Sequence, residues 1–169
     1  IALPLSVGAG SLCEIMDFRL KTEEDPAEIP GRLTAALPEG IEIIEAYEPR
    51  RKTAELKWLR VSGVFEYDGR DAEQMAEALD RFYGQDELII SKKTKGGMGE
   101  ADIRPAIKRI ELRAGPGAVL LEAVISAREP TLNPELLAEA LRQKAPELAP
   151  DFAKFTRLET YDREMNVYR

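Results

Sequence analysis

Histidine is missing from this 169-residue sequence, and cysteine occurs once, as Cys13. Without histidine, a Ser-His-Asp triad, a Cys-His pair and a histidine-bearing zinc site are all excluded from the chain. One thiol forms no internal disulfide, which fits a reducing cytoplasm, and it cannot carry an iron–sulfur cluster, which needs several thiolates. Cys13 reads as a small buried hydrophobe, with a reactive thiolate as the alternative. Long apolar runs are also lacking: the longest, such as Ala118 to Ile125, is interrupted by Glu122, and a membrane helix needs roughly 18 consecutive apolar residues. Ile1 to Gly10 has neither the basic start nor the long apolar centre of a signal peptide. A chain opening on Ile1 rather than Met is expected to be a piece of something longer. Basic residues are outnumbered, 24 against 31 acidic, for a net charge of −7, so general attraction to polyanions is disfavoured and any contact with nucleic acid must be local. What is present, 44% hydrophobic residues, suffices for a sizeable core. A soluble, cytoplasmic globular protein is expected.

Hydrophobic periodicity then supplies the elements. Leu12 to Leu20 alternates and predicts a strand, ended by acidic Thr22 to Asp25. Asp25-Pro26 reads as a helix start, with Ile29, Leu33 and Leu37 at helical spacing, before Pro38, Glu39 and Gly40 stop it. Ile41 to Tyr47 predicts another strand, and Glu48 to Thr53 a charged connector. Leu59, Val61, Phe65 and Tyr67 alternate with polar residues in a strand closed by Asp68-Gly69. Asp71 and Gln74 have capping-box spacing, Met75, Leu79 and Phe82 form a helical stripe, and Gly84 suits its end. A short strand at Leu88 to Ile90 leads into Lys92 to Gly99, read as a flexible basic loop. Ile110 to Arg113 and Val119 to Ile125 predict a hairpin; Asn133-Pro134 opens a helix that stops at Pro146; Phe152 to Tyr161 is the closing strand.

The order from Trp58 to Tyr161 is β-α-β-β-α-β, the split βαβ or ferredoxin-like arrangement, with an inserted basic loop and an extra short strand. Leu12 to Tyr47 repeats the strand–helix–strand order of Val119 to Tyr161. The fold class expected is therefore α+β: tandem ferredoxin-like units with antiparallel sheets, residues 1–49 forming an incomplete first unit and residues 50–169 a second one. One irregular sheet without internal repetition is the plainer alternative.

Two basic clusters interrupt the acidic background. Lys92, Lys93 and Lys95 flank glycines, and Arg104, Lys108 and Arg109 follow; Arg50, Arg51 and Lys52 lie at the expected unit boundary. Together, Arg50, Arg51, Lys52, Lys92, Lys93, Lys95 and Arg104 are candidate nucleic-acid contacts, against the plain reading of solvated loops and a charged junction. No G-K-[ST] follows the glycines, so no P-loop is present. Trp58, Phe65 and Tyr67 offer stacking surfaces for unpaired bases, or simply core packing. Asp102 is a possible site carboxylate, although beside Arg104 a local ion pair and turn is the structural reading. No metal site and no cofactor is expected.

Leu3-Pro4-Leu5-Ser6-Val7-Gly8, Ser11 and Glu14 leading to Asp17, Leu37-Pro38-Glu39-Gly40-Ile41, Lys92-Lys93 and Asp102-Ile103-Arg104-Pro105 together resemble the uncharacterised radical-SAM-linked protein family. The resemblance spans nearly the whole chain. It implies a domain of unknown function that also stands C-terminal to B12-binding radical SAM proteins, with a radical SAM protein as partner. It also implies an upstream stretch bearing histidines and arginines that this sequence lacks. Association of the family with RNA-processing genes implies tRNA or rRNA as a further partner. The function expected is an RNA-binding accessory module working with a radical SAM enzyme; a docking domain for that enzyme, or an enzyme with upstream catalytic residues, are the alternatives.

Overall fold

The computed structural model describes residues 1–94 and 97–169. Among these residues seven strands and three α-helices run in the order β1 (Gly10–Ser11), α1 (Ile29–Ala36), β2 (Trp58–Glu66), α2 (Ala72–Tyr83), β3 (Ile89–Thr94), β4 (Gly97–Asp102), β5 (Ile107–Gly115), β6 (Ala118–Ser126), α3 (Glu135–Lys144) and β7 (Phe152–Tyr161). Five strands make one mixed sheet in the order β1-β7-β2-β6-β5, and β3 pairs with β4 in a separate antiparallel ribbon. Within the large sheet β2, β5, β6 and β7 are antiparallel neighbours.

β2 explains the layering. Leu59, Val61 and Phe65 are buried while Trp58, Arg60, Ser62 and Val64 are only half-buried, so one side of the sheet is covered and the other is more open. The covered side carries α2 over β5 and β6, and α3 beside β7 and the ribbon. Phe65 meets Phe155 edge to face, centroids 5.8 Å apart. Gly63 is required here, because a Cβ would lie 2.9 Å from the Phe155 ring. α2 begins where its side chains dictate: Asp71 accepts from Gln74 N at 2.9 Å, and Leu79, Phe82 and Tyr83 are its buried stripe. Tyr83 joins the two helices by donating its hydroxyl to Leu137 O at 3.0 Å.

Three expectations are corrected. Of the expected loop, residues 92–94 and 97–99 belong to an antiparallel ribbon, paired from Ile89↔Asp102 to Thr94↔Gly97; the alternation that marks a strand is hidden there by lysines and glycines. The ribbon is anchored to α3, since Ser91 and Gln143 exchange hydrogen bonds of 2.8 and 2.9 Å. Residues 12–20 and 41–47 form no strand; among the described residues the first half contributes to a sheet only through β1, which pairs in parallel with Thr156 and Arg157 of β7. Their apolar alternation has no ladder beside it, and without cross-strand pairs extended chain is not a strand. The α1 helix starts at Ile29 rather than Pro26, because Asp25 spends its carboxylate on Ala27 N in a separate turn. Arg157 fastens the leading segment, donating to Leu3 O and Glu14 Oε1 at 3.0 and 2.7 Å. No helix among the described residues is long and apolar enough to cross a membrane.

Two buried phenols make stability sensitive to alkali. Burial, opposed by Arg70, pushes Tyr67 up to about 12, and its hydroxyl donates to Leu148 O at 2.9 Å; burial also raises Tyr83 well above the ordinary phenol range. For such groups the stability is complete below the unfolded value of about 10 and is lost as pH rises through the folded value. Thermal melts are expected to fall steeply between about pH 10 and about 12, and less steeply for Tyr67→Phe. A melting temperature unchanged across that window would contradict the burial described.

Candidate nucleic-acid interface

Residues singled out by charge lie on different parts of the fold. Arg51 faces inward: its guanidinium bonds Glu55 Oε2 at 3.1 Å and Asp162 Oδ2 at 2.8 Å and lies 5.0 Å from the Tyr168 ring centre. It therefore ties the connector to the chain's last residues. Arg50 and Lys52 beside it are exposed. Arg104 donates from Nε to Gln85 O at 3.1 Å and from Nη1 to Ile107 O at 2.9 Å, fixing the start of β5. Asp102 Oδ1 accepts from Leu88 N at 2.8 Å and Arg104 N at 2.9 Å, so its carboxylate closes the base of the ribbon. Lys92 is half-buried on β3, Lys93 is on the same strand, and Lys95 lies outside the described residues. Phe65 and Tyr67 are core residues, 0% and 3% exposed; Trp58 alone of the three aromatics is on the more open face.

The sequence offered Trp58 as a stacking surface and Lys108 and Arg109 as basic residues, but not their meeting, which this face brings about. Trp58 pairs in register with Ser126 on one side and Tyr161 on the other. Lys108, carried on the bulge between Ile107 and Arg109, brings its Nζ to 4.9 Å from the Trp58 ring centre, and Lys57 Nζ lies at 5.3 Å. Lys57 also donates to the carbonyls of Arg128 and Glu129, whereas Lys108 is exposed. The indole Nε1 of Trp58 has no hydrogen-bond partner among the described residues, an unusual state for an occluded donor. Across the same face Arg60 pairs with Glu122 at 3.3 Å, Arg109 with Glu111 and Glu122 at 3.6 Å each, and Arg113 with Glu111 at 3.6 Å. Three arginines thus share two carboxylates. Such open pairs contribute about 0–1 kcal/mol, little enough for a phosphate to compete.

Other openings carry less. The cavity of about 580 Å³ lined by Arg51, Glu55, Lys57, Arg128, Glu129 and Asp162 mixes both signs, and Arg51 within it is already paired. Burial raises the Cys13 thiol above its ordinary value, with Arg157 opposing, which disfavours the thiolate. No group of three or more carboxylates, thiols or imidazoles able to hold a metal occurs among the described residues.

Topology and face define a small α+β protein whose five-stranded mixed sheet carries, on its more open face, an aromatic ring flanked by cations. Residues 1–134 match the family described as "Uncharacterized protein conserved in bacteria (DUF2344)", and the chain belongs to that family. The match runs through β6 and ends just before α3. No curated protein and no solved structure matches the chain.

Proposed function

We propose that the protein is an RNA-binding accessory module that presents a single-stranded segment of tRNA or rRNA to a radical SAM enzyme in the cytoplasm. The observation that carries the RNA reading is Trp58 on the more open face of the sheet, with Lys57 and Lys108 over its ring and Arg60, Arg109 and Arg113 along the same face. Sheet aromatics of this kind stack unpaired bases, and neighbouring guanidiniums hold the backbone. Arg50, Lys52, Lys92, Lys93 and Lys95 are the residues we propose for flanking phosphates. The radical SAM partner rests on the family resemblance alone. The stretches 12–20 and 41–47 fit a second, incomplete split βαβ unit, residues 1–49, whose strands form only when another strand pairs with them.

The test is fluorescence anisotropy with a labelled ten-nucleotide RNA over a range of potassium chloride concentrations. Each neutralised phosphate contributes a slope of about −0.7 in log K against log salt for single strands. Changing Arg60, Lys108 and Arg113 together to Ala is expected to flatten the slope by about 2. Binding that is absent, or indifferent to salt, overturns the proposal.

A further inference from the structure

We infer that residues 12–47 form a docking surface for an extended strand of a positively charged protein partner. Three observations converge on this surface. Ten of the fifteen exposed large hydrophobic residues fall within residues 1–49, among them Leu12 at 62%, Phe18 at 49% and Ile44 at 75% exposure. Scattered singly such residues need no explanation, but a contiguous group does. Both stretches are strand-like in sequence, yet neither has a ladder among the described residues. The first continues directly from β1, the edge of the large sheet. Leu12 N still donates to Arg157 O at 2.8 Å and Ile15 O accepts from Ala2 N at 2.9 Å, but no ladder follows, and an edge without a paired neighbour is the feature that strand addition uses.

The two stretches also lie together. Tyr47 is within electrostatic reach of Arg169, Glu45 and Asp17, and Arg169 Nε lies 3.7 Å from Glu45. Asp17 acts on both Tyr47 and Tyr168.

Charge selects the occupant. Residues 1–49 carry ten acidic and three basic side chains, whereas residues 50–169 carry twenty-one of each. The whole net charge of the protein therefore sits on the segment that exposes the apolar residues. A second copy would bring an equal negative surface against this one, and a nucleic acid or an anionic membrane would be repelled. A strand with apolar residues on one face and Lys or Arg on the other satisfies the backbone, the apolar patch and the charge together. This surface is distinct from the Trp58 face, and the inference survives failure of the RNA reading.

The probe is the peptide acetyl-(Lys-Val)5-amide, compared with acetyl-(Glu-Val)5-amide and with a basic peptide in which alternate Val are Pro. The basic alternating peptide is expected to bind at least about tenfold more tightly than either control, a difference of about 1.4 kcal/mol. The double variant Phe18→Ser/Ile44→Ser should lose about tenfold for that peptide, while Leu120→Ser, exposed on the other face, should not. Both changed residues are solvent-facing, so the variant folds, and unchanged circular dichroism serves as the control. Equal binding of the Pro-bearing peptide reduces the effect to charge attraction and overturns the inference. No binding, indifference to the double variant, or a homodimer in sedimentation that the double variant dissolves overturns it as well.

Discussion

Phe65→Ala is expected to lower unfolding stability by about 3–5 kcal/mol, which in a domain of ordinary stability removes much of the total. Phe65 is fully buried in the central strand, opposite Val119 on β6 and Ala153 on β7. Its edge-to-face contact with Phe155 adds a directional term of about 0.5–1.5 kcal/mol to the burial. The neighbours cannot close the gap, because Phe155 is also held against Gly63 and both neighbouring strands are fixed in register. Urea titration followed by tryptophan fluorescence would measure the loss, with the single Trp58 near the end of the same strand as reporter. A cost below about 1.5 kcal/mol would mean that the site collapses freely and that β2 is not the centre of the core. Phe65→Leu, which keeps most of the volume, should cost much less.

Elements that carry their own punctuation are legible in the sequence. Asp71, Gln74 and Gly84 bracket α2 by local chemistry alone, and the alternating runs of β2, β6 and β7 fall where the periodicity places them. Local chemistry failed where pairing decides. Leu12 to Leu20 alternates as well as β2 does, but a strand exists only if a neighbour supplies a run of hydrogen bonds, and among the described residues this stretch receives only isolated ones, such as Leu12 N to Arg157 O at 2.8 Å and Ala2 N to Ile15 O at 2.9 Å. The β3–β4 ribbon is the converse. Its residues have little strand character, and it forms because Asp102 and Gln143 fix its base and its side.

The site followed the same rule. Arg51 and Arg104 look in sequence like free positive charge, yet both are consumed by partners far along the chain or by carbonyls at a strand start. Their long-range partners, such as Asp162 for Arg51, leave no local signature. Trp58 was visible as an aromatic in a strand, but its two lysines are 1 and 50 positions away. Only the bulge at Lys108 and the register of β5 against β6 bring the second one to the ring.

Trp58→Ala is expected to weaken binding of single-stranded RNA by about 1–3 kcal/mol, roughly 5- to 150-fold. The lysines over the ring do not argue against this. An exposed cation–π contact contributes about 0.5–1 kcal/mol, which a stacking base exceeds, and a displaced ammonium remains close enough to meet the phosphate of the same nucleotide. Stacking and charge separate in the salt dependence. Removing the ring should lower affinity at every salt concentration and leave the slope unchanged, because no phosphate contact is lost; removing Arg60, Lys108 and Arg113 should change the slope. Trp58→Phe retains a π-face and should recover most of the affinity, whereas a role confined to packing Ser126 and Tyr161 would let Trp58→Leu recover as much. Anisotropy titrations of the three variants at two salt concentrations, with melting temperatures as the folding control, distinguish these outcomes. Affinity within about twofold of the unchanged protein for Trp58→Ala, well under the effect of losing one stacked base, would remove the aromatic face as the RNA platform.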